Sequence, residues 1–113
     1  MEVLFYVMKK VDKLHDLLVK FHDHKVSNAT IIDSDGMTHE ISDNHDGYKL
    51  FSLHHLMNPK RKESKTIMIA IDESQREEVI AIIEEVVGDL EGDDTGAVFT
   101  MPINFVKGIS KWK

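Results

Sequence analysis

Lys65–Gly88 reads KTIMIAIDESQREEVIAIIEEVVG, and its hydrophobic period changes part-way. Ile67, Ile69 and Ile71 alternate with Thr66, Met68 and Ala70, the two-residue period of a strand over Lys65–Ile71. Val79, Ile82, Ile83, Val86 and Val87 then fall on one helical stripe, with Glu77, Glu78, Glu84 and Glu85 off it. Ser74-Gln-Arg-Glu77 reads as a capping box at the start of that helix, and Gly88 as its stop. An acidic stretch with glycines, Asp89–Gly96, leads into a further strand at Ala97–Met101, ended by Pro102. This half is therefore strand–helix–strand. Ile103, Phe105 and Val106 suggest a short last strand, and Trp112 follows among lysines.

The first half repeats the plan. Glu2–Met8 puts Val3, Phe5 and Val7 on one face and Leu4, Tyr6 and Met8 on the other, so the strand is apolar on both sides. Val11, Leu14, Leu17, Leu18 and Phe21 make the stripe of an amphipathic helix over about residues 10 to 24. Its end carries His22, Asp23, His24 and Lys25, and cationic groups suit the negative end of a helix dipole. Ala29–Asp33, with β-branched Thr30, Ile31 and Ile32, is the second strand.

Between the halves lies Gly36–Ser64. Its first part is polar. Leu50, Phe51, Leu53, Leu56 and Met57 then fit a short helix that ends at Asn58-Pro59, either an exposed element that docks a partner or one that folds back to complete the core. Lys60, Arg61, Lys62 and Lys65 form a basic cluster in an otherwise acidic chain. Long connections inside small domains are mostly functional or disordered, so this one is expected to meet a partner. Two βαβ units in succession predict an α+β, ferredoxin-like βαββαβ sandwich, a single domain over residues 1–113 with the 36–64 insertion between strands 2 and 3. The helices would cover one face of the sheet. The other, also apolar, is expected to meet another subunit.

The 113 residues, 42% of them hydrophobic, fit one modest core. A net charge of −6 argues against a general nucleic-acid or membrane-surface binder, both of which need a basic face. The absence of cysteine excludes disulfides, thiolate metal sites and cysteine nucleophiles. No apolar run reaches the ~20 residues of a membrane span, and the first residues lack a secretory pattern, so a cytoplasmic protein is expected. There is no Walker-type or GxGxxG fingerprint and no recognisable Ser/His/Asp context, so catalysis has no signal in the sequence, and the family resemblance given below implies a regulator without enzymatic activity. Asp89, Glu91, Asp93 and Asp94 lack calcium-loop spacing and read as a solvated acidic segment.

The order VSNATIIDSDGM, long loop, KTIMIAIDE, second helix ending VVGDL, then TGAVFTMPI resembles the PII family of nitrogen-regulatory signalling proteins across nearly the whole chain. The resemblance implies a homotrimer that senses a small effector in clefts between subunits. The usual effectors are ATP or ADP, with 2-oxoglutarate at the loop base in many members. It also implies a loop, here 36–64, that docks on a target protein in nitrogen or carbon metabolism. Gly36, Met37 and His39 would couple site to loop. Lys65 and the Gly92–Ala97 segment, with Gly92, Thr95 and Gly96, would line the site. The chain departs from the family at several positions. Thr38 stands for the second glycine of the loop base, and His39 for its arginine. Asp94-Thr95-Gly96-Ala97 lacks the lysine that would meet phosphates, and the C-terminal arginines are absent. A triphosphate would thus lack its usual compensating charge.

An alternative rests on the histidines, His15, His22, His24, His39, His45, His54 and His55. A trimer could gather copies of one of them into a divalent-metal site, as in CutA-type proteins of similar fold. A third reading is a ferredoxin-like domain with a structural or catalytic role and no effector.

Overall fold

The computed structural model describes residues 1–36 and 64–109. The expectations for a helix at Leu50–Met57, for the cluster at Lys60–Lys62, and for Met37, His39 and Trp112 fall outside the described residues.

The elements follow the order β1 (Glu2–Met8), α1 (Leu14–Asp23), β2 (Ala29–Ser34), β3 (Ser64–Ile71), α2 (Arg76–Val87) and β4 (Ala97–Pro102). A single 3-10 turn precedes each helix, at Val11–Lys13 and Glu73–Gln75. The four strands form one antiparallel sheet in the order β2-β3-β1-β4. Each helix therefore returns the chain past one intervening strand. This is an α+β arrangement compatible with a ferredoxin-like fold.

Register explains which residues are inside. Leu4 faces Ile69 and Tyr6 faces Ile67, and all four are buried beneath the helices. Leu17 and Phe21 of α1, and Val79, Ile82, Ile83 and Val87 of α2, close the core from the helical side. Among the described residues, thirteen apolar side chains make up this core. At about 1.5–3 kcal/mol for each fully buried large side chain, it is the main source of stability.

The other face of the sheet is different. Val3, Phe5 and Val7 of β1 register with Ala70, Met68 and Thr66 of β3 and with Met101, Phe99 and Ala97 of β4. Phe99 is 57% exposed, Met101 50% and Ile32 43%. Among the described residues no layer covers this apolar face.

The helix ends depart from the sequence expectations. The capping box forms two residues earlier than Ser74–Glu77. Asp72 and Gln75 supply it, with Gln75 Oε1 accepting from Asp72 N at 3.0 Å. The interposed 3-10 turn moved the cap. Helix α2 does stop at Gly88, whose φ is +100° and whose amide reaches Glu84 O at 2.9 Å. Helix α1 ends in a Schellman arrangement. Val26 N donates to Phe21 O at 2.8 Å and Lys25 N to His22 O at 3.0 Å. Lys25 takes the left-handed position, at φ +64°, and Val26 is buried against the core. The predicted last strand at Ile103–Val106 makes no ladder among the described residues. Ile103 N is bonded to Met1 O at 3.1 Å, and Phe105 stands 81% exposed.

At the start of β1, where Glu2 is in register with Ile71 and Pro102, Glu2 is buried on the helical side. Arg76 at the start of α2 meets it with two bonds, Nε to Oε1 at 2.6 Å and Nη2 to Oε2 at 2.5 Å. The arginine's hydrogen bonds hold the Glu2 carboxyl below the usual glutamate range, against the opposing pull of burial.

A cleft at the loop end of the sheet

The end of β1 and the start of β4 lie side by side, with Val7 in register with Ala97. The connection Gly88–Gly96 must pass over this pair. It is fixed there by specific contacts. Tyr6 Oη, fully buried, donates to Thr95 O at 2.6 Å. Burial pushes the Tyr6 phenol up to about 12. Thr95 is itself buried, and its Oγ1 donates to Gly92 O at 3.2 Å. Glu84 Oε2 accepts from Leu90 N at 2.9 Å, and Lys10 Nζ donates to Val87 O at 3.1 Å at the C-terminus of α2.

Gly96 is the tightest point. Its φ is +98°, and a Cβ there would lie 2.1 Å from Val7 O and 2.9 Å from Tyr6 Cε1. The glycine lets the connection lie directly on β1. A shallow cleft of about 200 Å³ results, lined by Val7, Lys9, Gly92, Asp94, Gly96 and Ala97. Ligand sites that enclose a small organic molecule usually measure about 300–1,000 Å³, so this cleft alone would hold part of one. Lys9 is its cation and Asp94 its anion. Among the described residues no carboxylate pairs with Lys9.

The sequence-derived site residues distribute as follows. Gly92 and Gly96 line the cleft, and Thr95 lies buried beneath it. Lys65 sits at the same end of the sheet, in register with Met8 and Asp33, and forms an ion pair with Asp33. Gly36 follows β2 at that end, exposed, with open space where a Cβ would go. Lys65 and Gly36 are nevertheless outside the cleft lining. The β2 edge is three inter-strand spacings from β4, roughly 14 Å. Met37 and His39 lie outside the described residues. Sequence reasoning missed Val7, Lys9 and the Tyr6 clamp. The signal for Lys9 was its place just beyond a strand whose end must meet the connection entering β4.

The carboxylates Asp89, Glu91, Asp93 and Asp94 are exposed. His15, His22 and His24 are also exposed. Among the described residues no group of three or more His, Asp or Glu could hold a metal ion. Ser34 Oγ lies 2.8 Å from Ser64 Oγ and 2.9 Å from Thr66 Oγ1, so three hydroxyls join the two strands where segment 37–63 leaves and returns. No helix among the described residues is long and apolar enough to cross a membrane.

No protein-family profile matches the chain, and no curated protein sequence matches it.

Proposed function

We propose that the chain is a PII-like, cytoplasmic regulatory protein without catalytic activity. It senses a small effector at the Gly92–Ala97 cleft and presents segment 37–63 to a target protein, in keeping with a role in nitrogen or carbon metabolism. The observation that carries this reading is topological. The cleft, Lys65 and both ends of segment 37–63 lie at one end of one sheet. An effector that fits the cleft differently in two arrangements of that end would shift their populations, and with them what the segment presents.

The uncovered sheet face supports self-association, which this reading takes to be a homotrimer. Phe99, Met101 and Ile32 are too exposed, and too close to Phe5 and Met68, for a face meant to stay in water. Self-association also gives Gly36 a route to an effector site. The two edges of one sheet hold Gly36 and Gly96 far apart, so these residues could only share a ligand across a subunit boundary. ATP or ADP remains the first ligand class to test, with Lys9 as the cation available to a phosphate or carboxylate.

The test is a thermal-shift panel on metal-free protein with ATP, ADP, AMP, 2-oxoglutarate and divalent cations, beside light scattering for mass. A ligand that binds only the folded state stabilises it by about 2.7 kcal/mol at 100 times its Kd. The expected result is a trimer whose melting temperature rises with one anionic ligand, and a Lys9→Glu variant that keeps its own melting temperature but loses the rise. A monomer, or a panel in which no anion raises the melting temperature, would retire the reading. Gly96 cannot serve as the binding variant, because any side chain there meets Val7.

A further inference from the structure

We infer that the cleft between β1 and the Gly88–Gly96 connection selects a small α-amino acid, its carboxylate on Lys9 and its ammonium on Asp94. The inference rests on the reading of this cleft as an effector site and names the class of the effector.

Two side chains of opposite charge, Lys9 and Asp94, line one cleft of about 200 Å³. Among the described residues neither side chain has an ion-pair or hydrogen-bond partner, and they do not pair with each other. A ligand that carries both charges would join them.

The backbone beneath both is held. Val11 N donates to Lys9 O at 3.0 Å, and the neighbouring Lys10 reaches Val87 O at 3.1 Å, which ties the end of β1 to the end of α2. On the other wall Thr95 follows Asp94 and is buried. Its carbonyl accepts from Tyr6 and its hydroxyl donates to Gly92 O. Asp94 takes the left-handed region at φ +61°, which aspartate visits more readily than most residues. The two charges thus stand on a preformed frame, and a ligand that joins them does not first have to order the chain.

The same charges decide against other ligands. A lysine alone would take any anion. With a carboxylate in the lining, the negative end of the ligand is confined to Lys9, and a donor is required at the other end. An ammonium makes the strongest such bond, because both partners are then charged. A polyphosphate would instead meet Lys9 beside four carboxylates, Asp89, Glu91, Asp93 and Asp94, all exposed on the connection. Like charges brought together suppress that partner. Size agrees, because the cleft is smaller than the roughly 300–1,000 Å³ of sites that enclose larger organic molecules.

The test compares amino acids with the keto acids of the same carbon skeleton, alanine with pyruvate and glutamate with 2-oxoglutarate, by titration calorimetry on the full chain. Each pair shares its carboxylates and differs at the ammonium. At least one amino acid is expected to bind about tenfold or more tightly than its keto acid. Asp94→Asn, which suits the same left-handed backbone, is expected to bring the two to similar affinity. Lys9→Glu is expected to abolish binding of both, and an unchanged melting temperature shows that each variant is folded. A keto acid that binds as tightly as its amino acid, or a preference that survives Asp94→Asn, would overturn the inference and leave the effector reading of the cleft standing. Binding of ATP where neither amino acid binds would do the same. A chain that binds none of these, and no anion of the thermal-shift panel, would overturn both.

Discussion

Replacing Gly96 by alanine should be the most damaging single-methyl change in the described structure. The added Cβ would lie 2.1 Å from Val7 O, 3.2 Å from Val7 C and 2.9 Å from Tyr6 Cε1. A carbon and a carbonyl oxygen in contact sit about 3.3–3.6 Å apart, so the connection must lift by more than about 1 Å. Val7 cannot retreat, because β1 is paired on both sides. Lifting the connection breaks the Tyr6–Thr95 bond and leaves a buried hydroxyl or carbonyl unpaired, costing about 1–3 kcal/mol. The left-handed backbone at φ +98° adds about 1–2 kcal/mol for any residue with a Cβ. Together the loss is about 2–5 kcal/mol, a large part of the 5–15 kcal/mol that typically holds a domain together. Urea unfolding followed by circular dichroism, at one fixed protein concentration, measures it. Gly36→Ala is the reference, since open space surrounds that position, and should stay within about 0.5 kcal/mol of wild type. A Gly96→Ala loss below about 1 kcal/mol would refute the claim that the connection is seated on β1 through this glycine.

Other outcomes follow from individual contacts. Tyr6→Phe keeps the ring and removes the bond to Thr95, and should cost about 1–2 kcal/mol in the same urea assay. In wild type the folded state holds the Tyr6 proton to about pH 12, above the unfolded value near 10, so stability should fall as pH rises between them. That alkaline slope should flatten in Tyr6→Phe. Lys25→Gly should stabilise by about 0.5–1 kcal/mol, because Lys25 holds the left-handed position that ends α1; a destabilised variant would mean its side chain has another role. Glu2 has a lowered folded-state value, so its pairing with Arg76 is fully present above the ordinary glutamate range and is lost as pH falls through the folded value. Acid unfolding of Glu2→Gln should therefore show a shallower pH dependence below about pH 4.3 than wild type, and equal slopes would deny the linkage.

The two helices and four strands of the described residues were legible because each has one dominant period. β1 is the clearest case, since its alternation put Leu4, Tyr6 and Met8 on one face, and that face is the buried one. What the sequence hid were features set by contact between distant residues. The shift of the capping box to Asp72 and Gln75 depended on a 3-10 turn that no local pattern distinguishes from the first helical turn. Lys25 in a left-handed position is invisible to propensity, because Val26 anchors the turn by burial. Ile103–Val106 has strand composition and lacks a partner within its chain, and composition carries no information about partners. In the cleft, glycine-rich Gly92–Gly96 was recognisable as a special backbone. Lys9 was not, because its place there follows from the register of β1 with β4.

The hydroxyl clasp of Ser34, Ser64 and Thr66 has a consequence for how this protein can change over evolutionary time. It ties the end of β2 to the start of β3 at the place where the chain leaves the sheet and re-enters it. Loop-closure entropy grows only logarithmically, and doubling the length of an intervening segment costs roughly 0.6 kcal/mol. Added length between residues 37 and 63 should therefore cost the sheet little in closure entropy. The clasp thus fixes the two points of the sheet between which any change in the length of the connection would have to be absorbed.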